Sequence, residues 1–320
     1  MTRLTMAGLL AVAEIARAAA PSVSKDPRDV PPPISRNHPE TVTIDLVARE
    51  VVGELAPDRR YWFWTFAEKR DGVVGPGTVP GPMIRVREGD TVVVNLTNEP
   101  GGIEPHNLDF HAGIGAMLED VAPGETKTLQ FKATREGGYI YHCGAEGMPW
   151  EHVAHGMYGL MMVEPRGGLR AVDHEFYLGQ GEWYPGPNVE HPEVDADSLD
   201  EDKALAEHPD YVTFNGHTKA LTDPAIFGDA VTVARGDSVR MFLVSGGPNL
   251  GSNFHVIGQI FDRVLTGHHL TAMRNEETVY VPPGSAAVFE FQAQATGDFP
   301  IVDHALFRVP KGAAGLLHVR

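Results

Sequence analysis

Beyond residue 40, apolar and polar positions alternate with a period of two along most of the chain. Successive side chains of a strand point to opposite faces, so this period predicts half-buried strands. In the first half they fall at TVTIDLVA (41–48), RYWFWTF (60–66), MIRVREGDTVVVNLTN (83–98), KTLQFKAT (127–134), GYIYHC (138–143) and GLMMVEP (159–165). In the second half they fall at YVTFNG (211–216), AVTVARGDSVRMFLVS (230–245), NFHVIGQIFDRVL (253–265), ETVYVPP (277–283), AAVFEFQAQ (286–294) and LLHVR (316–320). Gly, Pro, Asn or Asp flanks these runs, as turns require. Short strands with regularly spaced turns predict an all-β sandwich or barrel.

The two halves repeat each other. VREGDTVVVNL (86–96) matches VARGDSVRMFL (233–243), and APGETKTLQF (122–131) matches PPGSAAVFEF (282–291). DFH, ending at His111, matches NFH, ending at His255. The repeat predicts two similar β-sandwich domains, at 39–166 and 211–320. Residues 167–210 read as a linker with an acidic helical excursion. Its stretch 184–210 carries nine acidic side chains and one lysine, and Ser198-Leu199-Asp200-Glu201 reads as a capping box for a short helix that His208-Pro209 ends. Residues 1–38 read as a leader and a proline-rich connector. Arg3 and the apolar run ending at Ala18-Ala19-Ala20 suit an export signal, while Glu14 and Arg17 suit an ordinary amphipathic helix. No stretch reaches the roughly 18 apolar residues that span a bilayer.

Composition narrows the partners. The chain is 42% hydrophobic and 22% charged, ordinary for a globular protein. A net charge of −17 argues against nucleic acid; it would favour a basic partner, although an acidic surface most often serves only solubility. The single cysteine cannot form an intrachain disulfide.

That cysteine lies in GYIYHCGAEGMPWEHVAHGMYG (138–159), among histidines and methionines. Thiolate, imidazole and thioether are soft or borderline ligands, and two histidines, a cysteine and a weak axial methionine make a blue-copper site. Zinc is the rival ion, but structural zinc sites seldom use methionine. Cys143, His152 and Met157 supply three ligands, with Met148 and His155 as competitors in the same run. The fourth comes from EPHNLDFH (104–111), which offers His106 and His111. His142 and Cys143 are strand neighbours and face opposite ways, and so do His106 and His111, five apart. The four therefore split into two pairs, His106 with Cys143 and His111 with His142, joined through one peptide bond. The second half has no counterpart of Cys143, His152 or Met157, so the thiol chemistry belongs to the first domain.

HNLDFH, YHCGAEGMPWEHVAHGM, SNFHVIG and VDHALFRVPKGAAGLLHV together resemble the copper-containing, nitric-oxide-forming nitrite reductases, over nearly all of the chain after about residue 40. The resemblance implies two Greek-key cupredoxin domains, a homotrimer and one type 1 and one type 2 copper per chain. It implies reduction of nitrite to nitric oxide and water, the chemistry of denitrification, with a small redox donor such as a cytochrome c or a cupredoxin. The type 1 ligands would be His106, Cys143, His152 and Met157. The type 2 ligands would be His111 and His142, with His304 of the partner subunit. Asp109 and His255 would supply protons, and Ile257 would limit how nitrite sits. Copper chemistry that makes nitric oxide leads us to expect a periplasmic location.

Two departures stand out. The family commonly has a small Thr-containing turn after DFHA, where this chain has AGIGAMLED. His304 follows Phe299 by five residues while His142 follows Tyr139 by three, so the repeat is expected to slip there. Trp150 is expected to pack around the copper loop. His38, His155, His174, His191, His208, His217, His268, His269 and His318 are expected at the surface or in turns. A pure electron-transfer cupredoxin would leave His111, His142, Asp109 and His255 unexplained. A two-domain multicopper oxidase would need His-x-His motifs, and none occurs among the fifteen histidines.

Overall fold

The structure is a computed structural model describing residues 22–320. The expected leader, residues 1–20, lies outside the described residues. Two β-sandwiches follow one another along the chain. In the first, one sheet runs in the order Val73–Val74, Arg59–Arg70, Thr41–Ala56, Thr91–Asn98, Thr126–Lys132. The other runs Ile84–Arg87, Tyr158–Glu164, Gly137–His142, Asp109–Phe110. Thr91–Asn98 keeps the period-two rule strictly, burying Val92, Val94 and Leu96. Cys143 and Met157 sit in the same apolar core as Trp64, Phe66, Phe110 and Tyr141.

The single expected strand at 83–98 is two strands. Gly89, with φ +99°, makes the turn, and the Asp90 carboxylate accepts the backbone N–H groups of Arg87 (2.7 Å) and Glu40 (2.9 Å). The repeat carries the device over: Gly236, φ +98°, separates Thr232–Val233 from Ser238–Gly247.

The second sandwich begins earlier than expected. His174–Trp183, within the presumed linker, is a long strand between Tyr211–Phe214 and Ser238–Gly247, parallel to the latter. Its alternation is hidden because both faces are covered. Phe176 and Leu178 enter the second core while Tyr177 enters the seam between domains. Glu175 is tied into ion pairs with Arg85 (2.6 Å) and Arg240 (2.5 Å). Gly179 is needed for close approach, since a Cβ there would lie 2.5 Å from Cγ of Pro80. The acidic excursion does form a helix, Glu201–Leu205, but Asp200 caps it by accepting the Lys203 N–H at 3.1 Å. Ser198, expected to open it, pairs instead with Gly186 in a two-residue ladder. A carboxylate two residues closer to the helix takes the capping role.

The domains share a continuous apolar seam of Ile140, Leu160 and Met162 against Tyr177, Phe242, Val244, Ala286 and Val288. The proline-rich connector is a strap across it. Val23 is buried there, Lys25 donates its N–H to the Val79 carbonyl, and the Lys25 carbonyl accepts from Asn215 Nδ2 at 2.9 Å. Along Gly137–His142, Tyr139 and Tyr141 face the first core while Gly138 and Ile140 face the seam. His142 continues the seam-facing set and Cys143 the core-facing set. Among the described residues no helix is long and apolar enough to cross a membrane.

Candidate metal centre

The loop after Gly137–His142 folds back through the short helix Pro149–Ala154 to Tyr158–Glu164. Pro149 at the first helical position suits this start. The loop closes on itself: Cys143 N–H donates to the Met157 carbonyl (3.1 Å), and Met157 N–H to the His152 carbonyl (3.0 Å). His152 and Met157 are thereby brought back beside Cys143, all three buried.

His106 arrives from the other side, its backbone bonded both ways with Val121. The Nδ1 atoms of His106 and His152 are 3.3 Å apart, and they lie 3.9 and 3.2 Å from Cys143 Sγ. Two atoms bonded to one ion at about 2.0–2.3 Å each stand at most about 4.5 Å apart, and all three separations meet that limit. The Asn107 N–H donates to Sγ at 3.1 Å, as a thiolate would be steadied. Burial, opposed by that bond, pushes the Cys143 thiol up to about 12, and burial followed by the neighbouring His106 pulls His152 down to about 3. The His152 imidazole therefore presents a lone pair to a buried sulfur, and the two imidazoles and one thiol fit a soft or borderline ion such as copper.

His155 and Met148 do not join this set. His155 is buried rather than at the surface. Its ring stacks on Trp64 at 3.9 Å, and its nitrogens bond the Glu151 carbonyl (3.0 Å) and Ser198 Oγ (3.0 Å). His217 is buried but in a turn, as expected, whereas His318 is buried in the strand Ala314–Val319, contrary to expectation. Met148 caps the short helix half-buried, whereas Met157 is in the core with Cys143. Trp150 does not pack: it is 55% exposed.

A second cluster lies on the seam-facing side of the same strand. His111 Nε2 and His142 Nε2 face each other at 3.2 Å, and Asp109 Oδ2 lies 3.9 Å from the latter. His142 Nδ1 lies 2.9 Å from the Cys143 carbonyl, which can only accept, so Nδ1 carries the hydrogen and Nε2 a lone pair. Two imidazole nitrogens that close fit a shared cation. Burial and the neighbouring His142 lower the pKa of His111. After DFHA the chain makes a tight turn, Phe110 N–H to Ala116 carbonyl, that leaves Ile114 and Met117 exposed.

His304 and His255 stand together on the second sandwich, ring centres 5.4 Å apart. His255 Nδ1 lies 2.6 Å from the Glu277 carbonyl, leaving Nε2 free. Ile257 is exposed one residue beyond the strand Ser252–Val256 that carries His255. Within the chain these residues do not join His111 and His142 in a common cluster of donor atoms.

The ladder corrects one expectation. Tyr141 pairs with Phe110 and His142 with Asp109; Asp303 pairs with Phe254, and His304 N–H donates to the Asn253 carbonyl at 2.8 Å. His304 is thus the counterpart of His142 in the repeat. The extra spacing is absorbed as two more strand residues, and an even number leaves every side chain on its original face.

Sequence reasoning missed the supports. Glu50 Oε1 accepts the Ile103 and Glu104 N–H groups (2.6 and 2.8 Å) and faces His106 Nε2 at 3.7 Å. Burial raises its pKa, but His106 and those N–H groups outweigh this and hold it below the usual range. Asp303 is fully buried beneath His304 among five N–H donors. Asn107 carried a local signal, its place beside His106, and its side chain accepts the Gly144 N–H at 2.7 Å. Around His152 the Glu151 carboxyl is pushed up to about 7 by burial and then by Glu190, Glu104 and Glu201.

Known proteins resemble this chain in sequence and fold. The chain is 43% identical over 301 residues to the copper-containing nitrite reductase of Neisseria meningitidis serogroup A, covering 91% of this chain and 72% of that one. The chain belongs to the copper-containing nitrite reductase family. It is 36% identical to the enzyme of that name from Alcaligenes xylosoxydans xylosoxydans, covering 74% and 76% of the two chains. The copper nitrite reductase from Nitrosomonas europaea superposes with a TM-score of 0.74 at 32% identity, over 88% of this chain and 94% of that chain. Multicopper oxidase family models match residues 61–168 and 174–316. Both halves of this reductase-family chain are therefore cupredoxin domains, as the resemblance implied. The thiol and the facing-histidine cluster lie in the first matched segment, and His255 and His304 lie in the second.

Proposed function

We propose that the protein reduces nitrite to nitric oxide and water at a copper site shared between subunits. The observation that carries this is the pair of clusters back to back on His142–Cys143, one buried around the cysteine thiol and one open on the seam-facing side. In this reading His106, Cys143, His152 and Met157 hold type 1 copper. His111 and His142, with His304 of the partner subunit, hold type 2 copper. Copper bound at both sites would supply the redox chemistry, and Cys143 and His142, neighbours in the chain, would be the covalent link between the two sites. The conversion takes up one electron and two protons per nitrite and releases one water. Asp109, beside His142, and His255, its Nε2 free, are the groups that deliver protons. Ile257 lies two residues after His255 and shapes the space for nitrite.

Sharing between subunits is supported by what surrounds the half-sites. Ile114 and Met117 flank the first, while Leu306 and the 92% exposed Phe307 flank the second. Apolar surface beside an incomplete ligand set suits a head-to-tail contact, which closes as a ring of three. The carboxylates gathered near His152 suit a basic cytochrome c or cupredoxin as donor, and the reaction belongs in the periplasm on this reading.

Mixing two inactive variants tests it. His142→Ala removes the first half-site and His304→Ala the second. Each alone is expected to be inactive. In mixed trimers refolded from equal amounts, about a quarter of the shared sites draw both halves from intact domains, so about that fraction of nitrite turnover returns. If each chain builds its own site, mixing restores nothing.

A further inference from the structure

One more cluster of metal-type donors lies apart from both copper sites. Glu136, on the turn before Gly137–His142, meets His268 and His269, on the turn after Arg263–Leu265 of the second sandwich. Glu136 Oε1 lies 2.7 Å from His269 Nδ1 and 3.1 Å from His268 Nε2, and it accepts the His269 backbone N–H at 2.9 Å. The two imidazoles are stacked, centres 4.9 Å apart and planes 24° apart, so both present a nitrogen to one oxygen.

The carboxylate is the unusual member. Its side chain is 8% exposed, and among the described residues its only ion pairs are with these two histidines. No Lys or Arg pairs with this carboxylate among the described residues, so only the two imidazoles stand opposite it. Two imidazole nitrogens and one carboxylate oxygen are the donor set of zinc(II) or copper(II), and His268, half exposed, leaves a side open for water. The turn is braced from behind. Arg263 Nη2 donates to the His269 carbonyl at 3.0 Å, and its Nη1 donates to Glu290 at 3.1 Å.

Binding replaces the two imidazole–carboxylate hydrogen bonds with bonds to the ion and costs one further local bond. His268 Nδ1 accepts the Leu270 N–H at 3.2 Å, and bonding an ion at Nε2 requires a hydrogen at Nδ1. Leu270 is 77% exposed, so water replaces that acceptor. We propose that Glu136, His268 and His269 form a third metal site, for a divalent cation of the zinc(II) or copper(II) class, that clasps the two sandwiches together.

The test uses the copper-loaded full chain, titrated with zinc(II) by calorimetry while the thiolate absorption band reports that the Cys143 site keeps its ion. The wild type is expected to take up one further equivalent with a dissociation constant of about 10 µM or tighter, and to gain thermal stability with it. Glu136→Gln and the double variant His268→Ala/His269→Ala are expected to lose that equivalent, and His38→Ala to keep it. Matching unfolding midpoints without zinc separate lost ligands from a lost fold. No further equivalent in the wild type, or one that persists unchanged in both cluster variants, overturns the proposal.

Discussion

Replacing Asp303 with alanine removes a fully buried carboxylate that accepts five hydrogen bonds. Oδ1 accepts Asn253 N–H (3.2 Å), Asn253 Nδ2 (3.1 Å) and Ala305 N–H (3.0 Å); Oδ2 accepts Gln180 Nε2 (2.9 Å) and Arg308 Nη1 (2.7 Å). Breaking a buried charge pair costs about 3–5 kcal/mol, and each donor left dry adds about 1–3 kcal/mol. Arg308 keeps some access to water, which recovers part of this. We expect a net loss of about 3–5 kcal/mol in urea unfolding. The local effect matters more for function. Asn253 and Ala305 hold the backbone on either side of His304, so the residue we assign as third type 2 ligand loses its orientation. Such supports are worth about 10–100-fold in metal affinity. After dialysis the variant is therefore expected to hold type 2 copper in much lower yield, with the thiolate band of the other site unchanged in the same sample. Asp303→Asn keeps one acceptor but points an amide N–H at Arg308 or Gln180, and should fall between. Burial raises the Asp303 pKa, but its N–H partners outweigh this and hold it below the usual carboxylate range. Its contribution is thus present above the unfolded pKa of about 4 and fades as pH falls through the folded value, so variant and wild type should converge in acid. A variant within about 1 kcal/mol of wild type, with full type 2 copper, would refute this account.

Two further outcomes follow from the first site. The Cys143 thiol, raised to about 12 by burial, stays protonated at neutral pH, while His152, lowered to about 3, is already neutral. Uptake of an ion there should release about one proton, so affinity should rise about tenfold per pH unit between pH 6 and 8, as read by calorimetry in buffers of different ionisation enthalpy. Glu50→Gln keeps an acceptor for the Ile103 and Glu104 N–H groups but removes the charge facing His106 Nε2. It should weaken ion binding at that site by about 10–100-fold while shifting the unfolding midpoint little. Equal affinity in a competition with a chelator would exclude a role for Glu50.

Period and local chemistry already determined much of this protein. The alternation of residues such as Val92, Val94 and Leu96 announced strands, and the repeated Gly-Asp turns announced two copies of one sandwich. Adjacent strand residues face opposite ways, so His142 and Cys143 could be sent to different sites before any fold was seen. His174–Trp183 was not legible. Its Glu175, Gly179 and Gly181 suit a strand only because Arg85, Arg240, Pro80 and Tyr158 come to meet them. The same holds for Asp303 and Glu50, whose charges are tolerable only where distant N–H groups converge. His304 became the partner of His142 in the repeat through strand register, which absorbed two residues without changing face. Local sequence sets which way a side chain points, but long-range pairing sets what stands opposite, and a metal site is made of what stands opposite.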